Sequence, residues 1–353
     1  MAKTFSPSVS TMKAWQYTTT KGGLEKNLKL NPSTPLPTPT PNQHLIQIIG
    51  VALNPVDYKL CELPLVTRFL VSKPATPCVD FAGCIVTPAS GSDFKPGQLV
   101  FGVSGSSPLS GGALREFNVA GLGNVVAVPE GVDPLHACGV GVAGLTAYQS
   151  IVPRVKKGGR VFINGGSGGV GAFGIQIAKV VGCHVTTTCS TRNVDLCKSL
   201  GADEVVDYTK GSIVQFFREK GWKFDHVVDN VGSNEELVWK CGDFLNPGVV
   251  FIKVSGDLSL HGMIDGFKRK VVPGALGGVK GKVEGFWPKP KAEDLDQIAE
   301  WMKEGKVKAV IDHTFSFEEA PKAFEKLKTG RARGKIVVDV ASKTYTKAWE
   351  TAS

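Results

Sequence analysis

The chain of 353 residues is long enough for two domains of ordinary size, and its 42% apolar and 21% charged residues exclude a disordered or fibrous polypeptide. With 41 Lys and Arg against 32 Asp and Glu, the net charge of +9 favours anionic ligands without choosing among a cofactor phosphate, an acyl thioester, a lipid surface and a nucleic acid. No run reaches the roughly 18 uninterrupted apolar residues of a membrane-spanning helix; the longest apolar-rich stretch, Val132 to Tyr148, carries Asp133 and His136 and is full of glycine.

Residues 1–11 are rich in Ser and Thr and contain no apolar core segment, which predicts a frayed tail rather than a signal peptide. The eight cysteines include no Cys-x-x-Cys pair and mostly stand in apolar surroundings. They read as small buried thiols, and the expected location is a reducing compartment, the cytoplasm. Asn31 to Asn42 holds five prolines, which predicts extended loop rather than helix or central strand. His44–Ala52 reads as a strand ending at the turn Asn54-Pro55. Short apolar runs follow at Cys84–Thr87, Leu99–Val103 and Val125–Val128, punctuated by Lys95-Pro-Gly97 and Pro129-Glu-Gly131. That spacing predicts an all-β or barrel-like first region.

After Pro134 the pattern changes. Strand-sized runs at Arg160–Asn164, His184–Cys189, Glu204–Asp207, His226–Asn230 and Val249–Val254 alternate with helical segments at Val170–Val181, Val194–Leu200, Ile213–Glu219 and Glu235–Phe244. Alternating βα units predict an α/β fold with a doubly wound parallel sheet. Leu295–Glu304 reads as a helix and Lys335–Val340 as a last strand that folds back to complete the first region.

The sharpest local signal is Val161-Phe-Ile-Asn164-Gly165-Gly166-Ser167-Gly168-Gly169-Val170-Gly171. Gly166, Gly168 and Gly171 fit G-x-G-x-x-G between an apolar strand and an apolar-faced helix, the context a dinucleotide site requires. On this reading Gly166 allows the tight turn, Gly168 lets a pyrophosphate approach the backbone and Gly171 lets the helix pack closely. The amides around Ser167, Gly169 and Val170 face the phosphates at the helix N-terminus. The same run matches a G-x-S-x-G nucleophile elbow, with Asp229 and His313 downstream as candidate triad partners, and it also fits a plain structural glycine turn. The next strand ends Cys189-Ser190-Thr191-Arg192-Asn193, with no acid before Asp195. An NAD site usually offers an acid there, whereas hydroxyls and a guanidinium suit a 2′-phosphate. The expectation is NADPH, with Ser190 and Arg192 as the phosphate clamp and Tyr208 near the adenine; a helix cap and a solvated arginine are the competing reading.

Several further motifs occur in order: Ala52-Leu-Asn54-Pro-Val-Asp57-Tyr58-Lys59, Asp80-Phe-Ala-Gly83, Phe94-Lys-Pro-Gly97, Gly112-Ala-Leu-Arg-Glu116-Phe, Gly144-Leu-Thr146-Ala-Tyr148, Leu200-Gly-Ala-Asp203 and Gly334-Lys335-Ile-Val-Val. Together with the glycine loop they resemble the medium-chain dehydrogenase/reductase superfamily, in its zinc-independent quinone oxidoreductase-like and enoyl reductase branch, from about Met12 to Val340. The resemblance implies a GroES-like, barrel-containing catalytic domain (1–129 and 291–353) and a Rossmann NADPH-binding domain (130–290), with the active cleft at their junction and a monomer or homodimer in solution. Zinc-dependent relatives carry a Cys and a Gly-His-Glu as ligands; Asn54-Pro-Val-Asp57 and Asp80-Phe-Ala-Gly83 stand in the matching regions, so no metal is expected.

The implied reaction is hydride transfer from NADPH to a quinone or to the C=C of an α,β-unsaturated carbonyl. The alternatives are a trans-acting enoyl reductase of a biosynthetic pathway acting on acyl thioesters, and a catalytically silent cofactor-binding protein. Asn54, Lys59 and Thr146 are the expected catalytic residues, with Lys59 as oxyanion stabiliser or proton source. Asp57 and Tyr58 are expected at the substrate, and Lys335 at the cofactor. Ser255 to Pro290 mixes apolar residues with Lys268-Arg269-Lys270, a pattern for a CoA or carrier phosphate, an anionic membrane surface or a solvated face. No nucleic acid partner is expected.

Overall fold

The computed structural model describes residues 10–63, 70–105, 111–254, 279 and 281–341. Most of Ser255 to Pro290, including Lys268-Arg269-Lys270, and most of the N-terminal tail lie outside the described residues. The chain forms two compact units, one from Met1–Leu145 with Lys289–Ser353, the other from Thr146–Pro288.

The first unit begins with β1 (Thr11–Gln16) and β2 (Lys29–Pro35), paired antiparallel as a separate ribbon. The proline-rich segment is thus a strand in its first part, contrary to the loop expected there. A two-stranded ribbon has edges that need no donor, so Pro32 and Pro35 are tolerated. Then come β3 (Gln43–Leu53), a short helix α1 (Pro55–Lys59), β4 (Asp80–Thr87), β5 (Leu99–Val103), β6 (Phe117–Gly121) and β7 (Val125–Ala127). Two helices close this part, α2 (Pro134–Ala137) and α3 (Gly141–Ile151), and the division between units falls within α3.

The second unit runs β8 (Arg160–Asn164), α4 (Gly169–Val180), β9 (His184–Cys189), α5 (Val194–Ser199), β10 (Glu204–Asp207), α6 (Ile213–Lys220), β11 (His226–Asp229), α7 (Glu235–Trp239), β12 (Val250–Lys253) and β13 (Lys282–Gly285). The helical run expected over Glu235–Phe244 stops at Trp239 and continues as a 3-10 turn at Cys241–Asp243. The six strands are parallel throughout, in the order β10-β9-β8-β11-β12-β13. In β8, four of the five side chains are buried, and in β11 all four, as central parallel strands covered on both faces require. Strand order reverses between β8 and β11, which makes their C-terminal ends the switch point where doubly wound sheets bind ligands. Phe162, Phe217, Phe224 and Phe244 pack edge-to-face in the core of this unit.

The chain then returns to the first unit as α8 (Ala292–Lys303), β14 (Ile311–Ser316), α9 (Ala320–Lys328) and β15 (Lys335–Asp339). β15 pairs antiparallel with β3, placing Ile336 opposite Leu53, so the last strand joins the sheet begun by the first region. The result is a seven-stranded sheet in the order β14-β15-β3-β4-β5-β7, with β6 also on β3. Buried Ala320, Ala323, Phe324 and Leu327 give α9 the apolar stripe that joins it to the core containing Phe81, Ile48 and Val338.

Candidate functional site

In the first unit the Asn54-Pro-Val-Asp57 segment is the start of α1. Pro55 suits the first helical position, and Asp57 Oδ2 accepts a hydrogen bond from Asn54 N at 2.7 Å, closing the turn. Asn54 is 4% exposed, and both ends of its amide are engaged. Nδ2 donates to Asp80 Oδ2 at 2.8 Å, and Oδ1 accepts from Lys335 Nζ at 2.5 Å. Lys335 Nζ also reaches Asp80 Oδ2 at 3.3 Å, and Asp80 Oδ1 accepts from Val142 N in the first turn of α3 at 2.8 Å. A carboxylate there complements the helix N-terminus. Gly141 is required beside it, because an added Cβ would sit 2.4 Å from Asp80 Oδ1.

This cluster holds two carboxyl groups and one ammonium, all buried. Burial, then the charge of Asp80, raises the Asp57 carboxyl to about 7 against the opposing pull of the Asn54 and Val79 amides and Lys335. Burial also raises the Asp80 carboxyl, with Lys335 pulling the other way. Asp57, expected at the substrate, is turned inward and holds Asn54. Lys335, expected at the cofactor, is 3% exposed and tied to Asn54 and Asp80. Tyr58 packs against the core with Lys328 Nζ 5.2 Å from its ring centre, and Lys328 in turn pairs with Glu25 and Glu62. Lys59 is exposed at the end of α1 with no ion-pair partner among the described residues. Thr146 is buried within α3.

In the second unit the glycines divide their duties differently from the expectation. The left-handed turn after β8 is made by Gly165, at φ +82°. Gly166 is needed for proximity instead: a Cβ there would meet Thr187 Oγ1 at 2.1 Å. A Cβ on Gly171 would meet the Gly165 carbonyl oxygen at 2.1 Å, so α4 packs directly on the loop as expected. At Gly168 the nearest protein atom would be 3.5 Å away. No described residue forbids a side chain there, which fits a position kept open for a ligand. Gly168 is the N-cap of α4 and supplies no side-chain acceptor for its leading amides, those of Gly169 and Val170 included.

Around this loop, Ser167 Oγ accepts from Asn193 Nδ2 at 3.0 Å, and the same amide lies 3.4 Å from Ser190 Oγ. Ser167 has no histidine partner among the described residues, its hydroxyl instead accepting from Asn193. Arg192 is exposed in the 3-10 turn Thr191–Asn193 and has no acceptor among the described residues. Thr191 and Thr209 hydroxyls engage the Asp207 carboxylate at 2.5 and 2.7 Å, which together with the Thr209 amide lowers its pKa. Tyr208, next to it, is 54% exposed.

The family profile described as an alcohol dehydrogenase GroES-like domain matches residues 40–130, and that described as a zinc-binding dehydrogenase matches residues 200–338. A trans-enoyl reductase of Aspergillus terreus is 47% identical over 346 residues, covering 94% of this chain and 97% of that one. A chloroplast envelope quinone oxidoreductase homolog of Arabidopsis thaliana is 34% identical, covering 93% and 98%. Among solved structures, the quinone oxidoreductase from Coxiella burnetii superposes with a TM-score of 0.78 at 30% identity, covering 93% of this chain and 99% of that one. The chain belongs to the medium-chain dehydrogenase/reductase superfamily of oxidoreductases.

Zinc, which one profile carries in its description, does not suit the residues present. The polar cluster around Asn54 offers amide and carboxylate oxygen, the Cys78 and Cys138 thiols near it are held protonated by burial, and the Lys335 ammonium already lies among those oxygens. Among the described residues no group of three or more His, Cys, Asp or Glu side chains is placed to hold a metal ion. No helix among the described residues is long and apolar enough to cross a membrane.

Proposed function

We propose that this chain is an NADPH-dependent, zinc-independent reductase of the C=C bond in an α,β-unsaturated carbonyl, with an enoyl thioester as the first substrate class. The observation that carries the reading is the start of α4: a glycine loop whose N-cap, Gly168, offers the leading amides no side-chain acceptor, beside an exposed guanidinium, Arg192, with no acceptor among the described residues. Gly166, Gly168 and Gly171 would admit a diphosphate to the amides of Gly169 and Val170, Ser190 and Arg192 would hold a 2′-phosphate, and Tyr208 would serve the adenine. A reduced nicotinamide held there would supply a hydride to the β-carbon. A proton delivered to the α-carbon completes saturation of the bond.

On the substrate side, Asn54 is held rigid by Asp57, Asp80 and Lys335, and one hydrogen of its Nδ2 is left beyond the bond to Asp80. That hydrogen and the exposed Lys59 ammonium are the groups that stabilise negative charge developing on the carbonyl oxygen. Lys59 then relays a proton through water. The relationship to a trans-enoyl reductase favours the acyl thioester. The relationship to quinone oxidoreductases supports quinones as a second substrate class, since they too accept hydride without a Lewis acid. NADPH oxidation is followed against enoyl thioesters, free enones and quinones. Turnover confined to thioesters supports the first class. Background rates throughout, with NADPH bound, would leave a silent binding protein.

A further inference from the structure

Asn164 ends β8, Asp229 ends β11, and the two face each other in register at the switch point of the parallel sheet. Asp229 is fully buried. Its Oδ1 accepts three hydrogen bonds: from Asn164 Nδ2 at 2.7 Å, Val231 N at 3.0 Å and Gly232 N at 3.1 Å. The first leads onward. Asn164 Oδ1 accepts from the Thr188 hydroxyl at 2.5 Å, and Thr188 Oγ1 accepts from Gly165 N at 2.9 Å. Gly165 is the left-handed residue on which the glycine loop turns. The other two bonds fix the turn after β11, where Gly232 has φ +73°. That turn carries Val231, whose exposed side chain lies so close to Gly165 that an added Cβ would come within 2.6 Å of its Cγ2.

One carboxylate therefore holds both loops at the strand ends where this fold receives a nucleotide. Among the described residues it has no cationic partner, and its Oδ2 makes no hydrogen bond. All three of its hydrogen bonds go to the end of β8 and the turn that follows β11, which points to a role in holding these segments. We infer that Asp229 is a positioning residue for nucleotide binding, acting on the glycine loop through Asn164 and Thr188 and on the Val231–Gly232 turn directly. The inference rests on the nucleotide-dependent reading above.

Asp229→Asn, Thr188→Val, Thr188→Ser and the double variant Asp229→Asn/Thr188→Val are compared with wild type by calorimetric titration with NADPH and by amide hydrogen exchange without nucleotide. Asp229→Asn should weaken NADPH at least tenfold and speed exchange in both loops. Thr188→Val should weaken NADPH and loosen only Gly165–Gly166, while Thr188→Ser, which keeps the hydroxyl, should bind within twofold of wild type. Because both lesions lie on one relay, the double variant should be weaker than Asp229→Asn by less than twofold. Fully multiplicative losses, or unchanged affinity in folded Asp229→Asn and Thr188→Val, would overturn the inference while wild-type binding left the functional reading standing. Should Asp229→Asn not fold, the Val and Ser pair at Thr188 decides alone, and equal affinities for the two overturn it. Wild type that takes neither NADPH nor NADH overturns the functional reading, and this inference with it.

Discussion

Replacing Asp57 by Asn should make stability less sensitive to rising pH. The amide keeps the size of the carboxylate and an oxygen for the Asn54 N–H, but cannot ionise beside Asp80. In the folded chain the Asp57 carboxyl stands at about 7, against 3.8 ordinarily. Between those values the unfolded chain has already released the proton that the folded chain still holds, so stability is greatest at low pH and falls as pH rises through 7. Lifting the carboxyl that far corresponds to a loss on the order of 4 kcal/mol across the whole window, of which about 2–3 kcal/mol falls between pH 5 and pH 8. The assay is urea denaturation of both proteins at a series of pH values, urea being preferred because guanidinium salt would screen the charges. The variant should gain about 2–3 kcal/mol on wild type between pH 5 and pH 8. A gap that stays constant to within about 0.5 kcal/mol would show that Lys335 already neutralises the site and that Asp57 is ionised throughout.

Gly166→Ala and Gly168→Ala should part company. The first drives a methyl into Thr187 and should cost about 1–3 kcal/mol in a melting or urea experiment. The second meets no protein atom closer than 3.5 Å and should cost at most about 1 kcal/mol, yet weaken NADPH severely; equal behaviour would refute the assignment of space at Gly168 to a ligand. Arg192→Ala should weaken NADPH at least about tenfold in calorimetric titration and NADH less than about twofold, as removal of a charge-assisted clamp requires, and parallel losses would dismiss the clamp. Lys59→Met should lower kcat about tenfold if the ammonium serves the oxyanion or the proton, with unchanged kcat removing it from the chemistry.

The glycine loop was legible because it is local: strand, glycines and apolar-faced helix are adjacent in the chain, and hydrophobic periodicity marks each. Even so, spacing placed the turn at Gly166, whereas conformation requires it at Gly165, a difference that appears only once Thr187 of the neighbouring strand is in position. The buried cluster was less readable. Asn54, Asp80 and Lys335 were each visible in motifs, but the bonds between Lys335 and its partners span 281 and 255 positions, and no local pattern encodes such a meeting. In the sequence Asp229 reads only as a possible triad member, since its side-chain partner Asn164 is 65 residues away on a parallel strand. β14 escaped notice because its side chains are exposed or half-buried and show no apolar run. The stripe of Ala320, Ala323, Phe324 and Leu327 in α9 did carry a helical signal that went unused.

The pairing of β15 with β3 also bears on biosynthesis. A ribosome releases the middle unit whole while its flanking neighbour still lacks two strands of its sheet and the lysine that bonds its buried Asn54 and Asp80. The middle unit can therefore reach its native state during translation, whereas the other must wait for the segment that carries β14 and β15, its half-made sheet open meanwhile to mispairing or to chaperones.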